Sequence, residues 1–281
     1  MIGVALALVC ALAYGVSDFV GGFASRRISP IRIVLLSYPV ALTLLTVAAS
    51  VVGGRLSTPA VVFGSLAGIS GAFGVWCFYA ALAAGPISVV SPLTAILVAG
   101  VPVCAGLALG ERPALLAAAG IVVALVAVFL VSRDTGDKNG VPHPFTKSVA
   151  WLTVGAGLAF GLNFVLMHQT PVEAGLWPLV CGRIAASIVI VIAAAASHNL
   201  QLPTGQSRKF ALLAGVLDTV ANVTMLLALH ASLLSLGSVL ISLYPAATVG
   251  LAMVVLKERV SRWQGVGMAL ALAAVAMIAV G

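Results

Sequence analysis

Residues 88–131, SVVSPLTAILVAGVPVCAGLALGERPALLAAAGIVVALVAVFLV, are written a second time further along the chain. Moved forward by 147 positions, they lie without a gap on residues 235–278, SLGSVLISLYPAATVGLAMVVLKERVSRWQGVGMALALAAVAMI. Apolar coincidences mean little here, because Ala, Val and Leu dominate both segments. The informative identities are Ser88 with Ser235, Ser91 with Ser238, Glu111-Arg112 with Glu258-Arg259, and Gly120 with Gly267. Each copy reads as an apolar span, a charged hairpin and a second apolar span. Duplication organises the chain.

Composition sets the solvent. The 281 residues are 62% hydrophobic and 7% charged, with a mean hydropathy of +1.21. A soluble domain carries about 25% charged residues, so this chain cannot cover a water-facing surface. The expected fold is an all-α integral membrane protein. The net charge of +7 is not a nucleic-acid signal, because the basic residues stand singly or in pairs between apolar spans; they read as membrane-side anchors. Cys10, Cys77, Cys104 and Cys181 fall inside apolar spans without C-x-x-C spacing, and carry no information on disulfides, metals or redox compartment. Ala11-Leu12-Ala13 resembles a signal-peptidase site. It lacks a basic segment before it and the apolar run continues past it, so residues 2–23 are read as the first span.

A bilayer crossing takes about 20 apolar helical residues. Cutting at charged or Pro/Gly-rich punctuation gives ten spans, 2–23, 32–52, 60–82, 87–109, 113–131, 149–170, 176–197, 210–230, 234–255 and 262–280. Residues 132–148, SRDTGDKNGVPHPFTKS, form the longest polar connection and divide a first five-span half (1–131) from a second (149–281). Leu12-Ala13-Tyr14-Gly15 corresponds to Leu158-Ala159-Phe160-Gly161, one position off the main register. Five is odd, so the two copies enter the membrane in opposite senses, as inverted repeats. Transporters built this way bind their cargo near the midplane, where the halves meet.

Orientation follows from the Lys/Arg bias. One set of loops holds Arg26, Arg27, Arg32, Arg133, Lys138, Lys147, Arg208, Lys209, Lys257, Arg259 and Arg262, while the opposite set holds Arg55 and Arg112. That bias places the first set in the cytoplasm and both termini outside. The expected location is the plasma (inner) membrane.

With these features the chain resembles the drug/metabolite transporter superfamily, specifically its EamA type. The resemblance spans ten helices in two halves, Gly110-Glu111-Arg112 with Gly120, and Lys257-Glu258-Arg259 with Gly265 and Gly267. Tyr14-Gly15-Val16-Ser17-Asp18-Phe19 looks like the family's start of a half, and Arg183 like the Arg that its halves place in their second helix. The first half departs from this pattern, with Ser37 where the Arg would fall. The resemblance implies export of amino acids, metabolites or drugs, or exchange of metabolites, without ATP hydrolysis. It also implies cytoplasmic termini, opposite to the charge bias.

Charged groups inside a span are costly and normally face a bundle interior or a water cavity. Asp18, Arg183 and Asp218 are such groups. A buried acid is a candidate proton carrier, so Asp18 and Asp218 are the proton-coupling candidates. A buried Arg offers a planar fork to a carboxylate or phosphate. At about 1.5 Å per residue, Asp218 lies roughly 15 Å and Arg183 roughly 20 Å from the basic-loop edge, so the two are able to meet. A structural Asp–Arg pair is the competing reading. Tyr14, Trp76, Tyr79 and Tyr244 are pocket-lining candidates, with Asn163 and Asn222, which also suit interhelical hydrogen bonds. Pro92, Pro102 and Pro245 interrupt the fourth and ninth spans, and such breaks suit gating helices; Pro92 and Pro245 are the gating candidates. Gly64, Gly68 and Gly71 form a packing stripe, as do Ser235, Ser238 and Ser242. Glu111 and Glu258 sit at helix starts, where an acid complements the macrodipole. His168 and His230 lie at span ends in structural positions.

Enzymatic readings find no support: there is no H-E-x-x-H, no G-x-S-x-G and no phosphate-binding loop of the G-x-x-x-x-G-K-[ST] type. The expected function is secondary transport of a small organic metabolite such as an amino acid, or of a drug, with no cofactor or metal. Its partners are that solute and the bilayer, not nucleic acid. The alternative is a flippase for a lipid or lipid-linked substrate, which also needs few polar residues.

Overall fold

The protein is described here by a computed structural model covering residues 2–25, 30–84, 87–132, 146–255 and 261–281. Among the described residues there is no strand. The helices are α1 (Ile2–Ser25), α2 (Pro30–Val52), α3 (Thr58–Ala84), α4 (Ile87–Ala108), α5 (Leu115–Ser132), α6 (Lys147–His168), α7 (Trp177–Ala196), α8 (Gly205–Ala231), α9 (Leu234–Ile241), α10 (Tyr244–Val255) and α11 (Arg262–Val280). Taken together as one broken span, α9 and α10 bring the total to ten crossings. Eight are long and apolar enough to cross a membrane by themselves; α1 and α4 contribute shorter apolar stretches, Ile2–Ser17 and Leu93–Ala108. The chain is an all-α integral membrane protein of two inverted five-helix repeats.

Helix starts keep the repeat register. Pro30 and Trp177, Thr58 and Gly205, Ile87 and Leu234, and Leu115 and Arg262 each open matching helices 147 positions apart. In this register the partner of Arg183 is Leu36, with Ser37 beside it, which moves the expected position by one residue.

Packing runs mostly between the halves rather than within them. α1 lies on α8 and, reciprocally, α6 lies on α3; α2 lies on α8 as α7 lies on α3; α4 meets α6 as α9 and α10 meet α1. α2 meets α7, and α5 meets α11, across the centre. Exchanging the halves turns this set of contacts into itself, as a pseudo-two-fold arrangement requires. The repeated glycines show it at atomic scale. A Cβ on Gly120 would collide with Ile278, and one on Gly267 with Val131; Ile278 and Val131 are themselves repeat mates. Small residues let α5 and α11 approach closely, and this is what drives helix association in lipid.

The Gly-Glu-Arg hairpin acts across the halves as well. Gly110 takes φ +95°, with its N–H bonded to Leu107 O (3.1 Å) and the Glu111 N–H to Gly106 O (2.9 Å). These two bonds close α4 as a Schellman motif, which favours Gly because the left-handed conformation carries no Cβ penalty there. The turn sends the Glu111 carboxylate onto the first turn of α9, where the N–H groups of Leu234 and Ser235 donate to it, the second at 3.0 Å. The acid does satisfy a helix start, but that helix belongs to the other half rather than to its own hairpin. Glu258 lies outside the described residues.

The predicted proline breaks divide unevenly. The ninth span is broken at Ser242–Leu243, just before Pro245, whose missing N–H ends the i→i−4 ladder. The fourth span runs unbroken from Ile87 to Ala108 through Pro92 and Pro102. The expectation of an interruption there is corrected: the helix runs through both prolines without a break.

Candidate functional site

A cavity of about 630 Å³ lies between the halves. Helices of both repeats line it: α1, α2, α3, α4 and α5 from the first, and α6, α7, α8, α10 and α11 from the second. Toward the end of the bundle that carries the basic loops, the lining reaches Ser132 and Gln264. Toward the opposite end it stops at Met167 and Leu179. Closer to that end, Leu176, Leu229 and Leu234 are buried in the main apolar cluster. Backbone contacts there are tight: the Arg55 N–H donates to Glu173 O (2.9 Å), and Gly54 abuts the Ala174 carbonyl. His168 and His230 belong to this seal. His168 Nδ1 meets Leu229 O at 2.8 Å, and His230 Nε2 meets Thr170 Oγ1 at 3.2 Å.

Arg183 and Asp218 form a salt bridge in the cavity wall, guanidinium Nη2 to carboxylate Oδ2. Each stands thirteen residues from the basic-loop end of its helix, so the antiparallel α7 and α8 bring them to one level. Sequence reading placed Asp218 shallower, because α8 begins at Gly205 rather than near residue 210. The arginine side chain is 8% exposed and the acid 25%, so the acid presents more of itself to the cavity. Asn222, one turn further along α8, donates through Nδ2 to Asp218 Oδ1 at 3.1 Å and to Asp218 O at 2.7 Å. Tyr38 of α2 lays its ring 4.4 Å from the guanidinium carbon. An aromatic face at that distance attracts a cation and fixes the plane of the fork.

Sequence reasoning passed over Tyr38. The available signal was its place beside Ser37, the site expected to match Arg183. Thr94, Ser17 and Thr248 are also in the lining and were not singled out. Thr94 Oγ1 and Ser132 Oγ are buried without a hydrogen-bond partner among the described residues. Thr248 Oγ1 bonds Gly15 O at 3.2 Å, tying α10 to α1 just past the helix break.

Of the candidates named from sequence, Tyr14, Asn163, Arg183, Asp218, Asn222, Tyr244 and Pro245 all line the cavity. Tyr14 and Tyr244 meet edge to face, with ring centroids 6.3 Å apart. Asn163 Nδ2 donates to Ala67 O at 2.7 Å, an interhelical bond from α6 to α3. Asn222 instead bonds within its own helix. Trp76 is corrected: it is 55% exposed and stacks beside Phe73 at 5.7 Å on the outside of α3. It is not among the α3 residues that line the cavity, which are Gly68, Gly71, Ala72, Val75 and Phe78. The side chains of Asp18, Tyr79 and Pro92 lie outside the described residues.

The arrangement is a closed-end cavity with an ion pair at depth and aromatic and aliphatic walls. Its size falls in the range of small-molecule sites, about 300–1,000 Å³. Comparison with known proteins agrees with the architecture. A solved crystal structure described only as that of a protein is similar over 99% of this chain and 96% of its own, with a TM-score of 0.80 and 17% identity; this likeness concerns the fold. No curated protein matches. The model of the EamA-like transporter family matches twice, over residues 1–133 and 147–280, the two repeats in turn. The chain belongs to the EamA-like transporter family, a membrane transporter of small molecules and not an enzyme.

Proposed function

We propose that the protein is a secondary transporter, an exporter or exchanger of the plasma (inner) membrane. It moves a small organic metabolite such as an amino acid, or a drug, by alternating access. The observation that carries this reading is the Arg183–Asp218 pair, its arginine buried and its acid partly open to a cavity lined by both repeats. In this role Arg183 contacts an acidic group of the solute, and Tyr14, Asn163, Asn222 and Tyr244 shape the pocket around it. Asp218, or Asp18, carries the coupling proton. The break ahead of Pro245 lets α9 and α10 move separately, which is how discontinuous helices serve alternating access.

The test is uptake in proteoliposomes, using a solute identified by thermal stabilisation of the purified protein, since a binder raises the melting temperature by mass action. Arg183→Ala is expected to weaken both gradient-driven accumulation and counterflow exchange. Full retention of both would remove Arg183 from the solute path. Orientation has its own test. A reporter fused after Gly281 is expected to be active outside the cytoplasm if the basic loops govern insertion; cytoplasmic activity would show that the bias is overridden.

A further inference from the structure

We infer that the cavity takes carboxylates with an apolar body, and that the substrate carboxylate and Asp218 alternate on the Arg183 guanidinium, Asp218 accepting one proton as it yields. This rests on the transport reading above and deepens it. Three observations carry it.

The first is charge. Among the described lining residues, Arg183 and Asp218 are the charged ones, and they cancel. An anion entering alone leaves a buried negative charge in excess, which is costly. If one proton enters with it and settles on Asp218, the site holds one guanidinium and one carboxylate before and after. The second is geometry. Asp218 engages Nη2 through Oδ2, while its Oδ1 is held by Asn222. An arginine fork is able to bind both oxygens of one carboxylate, so an incoming carboxylate has a two-point mode open to it that the resident acid does not use. The third is support on both sides of the exchange. Tyr38 holds the guanidinium plane, and Asn222 retains the acid after it leaves Arg183. Phe160, Phe164 and Val98 offer the apolar wall for the rest of the molecule.

The step balances without redox or covalent change to the solute. An O–H bond forms on Asp218, with the proton drawn from water on the side the cavity faces. The N–H···Oδ2 bond breaks and a N–H···O bond to the substrate replaces it. Among the described residues, the groups facing Asp218 from neighbouring helices are Arg183 on α7, Tyr38 on α2, and Tyr14 and Cys10 on α1. α9 carries no titratable residue, and His168 of α6 sits at the far end of α8, against Leu229.

The probes are 3-phenylpropionate, phenylalanine and phenethylamine, which share a phenyl body and differ in their charged ends. Binding to the full chain in nanodiscs is measured by calorimetry from mildly acidic to mildly alkaline pH, in buffers of different ionisation heat. 3-Phenylpropionate is expected to bind with uptake of one proton, phenylalanine, whose ammonium already balances its carboxylate, to bind with less or none, and the bare amine not to bind. Affinity for 3-phenylpropionate should fall about tenfold per unit rise in pH, because one proton is taken up with each ligand. Asp218→Asn should bind it with no pH dependence and no proton uptake, and Arg183→Ala should lose binding at least tenfold. Binding of phenethylamine alone, no binding of either carboxylate, or proton uptake of zero with 3-phenylpropionate in the wild type overturns the exchange. The wild-type slope decides the matter even if a variant fails to fold. Uptake into proteoliposomes separates the two readings. Uptake with pH-independent binding sinks the exchange and leaves transport standing, whereas pH-coupled binding without any flux does the reverse.

Discussion

α3 and α8 are repeat mates of equal length, 27 residues each, that start 147 positions apart. Both press on a helix of the other half through a glycine at the same repeat position. A Cβ on Gly68 would sit 2.0 Å from Gly182 O of α7, and one on Gly215 would sit 2.8 Å from Ser37 O of α2. Three residues further on the copies diverge. α3 offers Gly71 and Val75 to the cavity where α8 offers Asp218 and Asn222. The helices they press on diverge too, with Leu36 in α2 where α7 has Arg183. Duplication preserved the contacts that let the halves interlock, whereas the charged centre belongs to one copy. In the first copy the matching wall is small and apolar, and Tyr38 beside Leu36 supplies an aromatic face to the other half's arginine.

The largest expected effect comes from breaking the asymmetric part. Arg183→Ala leaves Asp218 without its cation in a partly exposed site, where it must stay charged or take a proton, and the cost should approach the lower end of the about 3–5 kcal/mol of a broken buried pair. Adding Asp218→Asn should recover more than half of that loss, read as melting temperature in one detergent. Leu36→Ala, at the matched first-half position, should not respond to Asp218→Asn at all. Equal coupling at both positions would break the comparison.

Next come the shared contacts. Gly215→Ala is expected to cost about 1–3 kcal/mol by overpacking. Gly68→Ala should cost more, since its collision is closer and with backbone on a facing glycine. Equal costs would mean that the two interlocking contacts are equivalent. Much of this scaffold was legible in sequence: the register, the ten spans and the glycine stripe follow from apolar length and from Gly placed against helix partners. Trp76 and Tyr38 mark the limit. Which face of an entirely apolar helix meets a cavity is poorly written in its sequence, because lipid and protein interior are both apolar. Arg183 and Asp218 were legible because a charge has no stable place in lipid; their actual pairing needed the depth of α8, which hydropathy set too short at its polar start.

The smallest expected effect concerns the hairpins. Glu111→Ala removes the acceptor for two α9 N–H groups, which costs about 1 kcal/mol as caps generally do. The first hairpin is built on Gly106 and Gly110, whose repeat positions hold Met253 and Lys257. A Cβ at Gly106 would collide with the Glu111 carboxylate. Glu258→Ala should therefore shift the melting temperature less than Glu111→Ala, and a larger shift would show that the second hairpin caps as strongly without those glycines.

The central claim is that the second half's ion pair is the working centre of the cavity, and one measurement bears on it most directly. In proteoliposomes, Asp218→Asn is compared with the wild type for pH-gradient-driven accumulation and for counterflow exchange of the same solute. Accumulation should be abolished and exchange largely kept, because exchange requires solute binding and no net proton movement. If Asp218→Asn, Asp18→Asn and the double variant all accumulate solute like the wild type, neither acid carries the proton and the Arg183–Asp218 pair is structural.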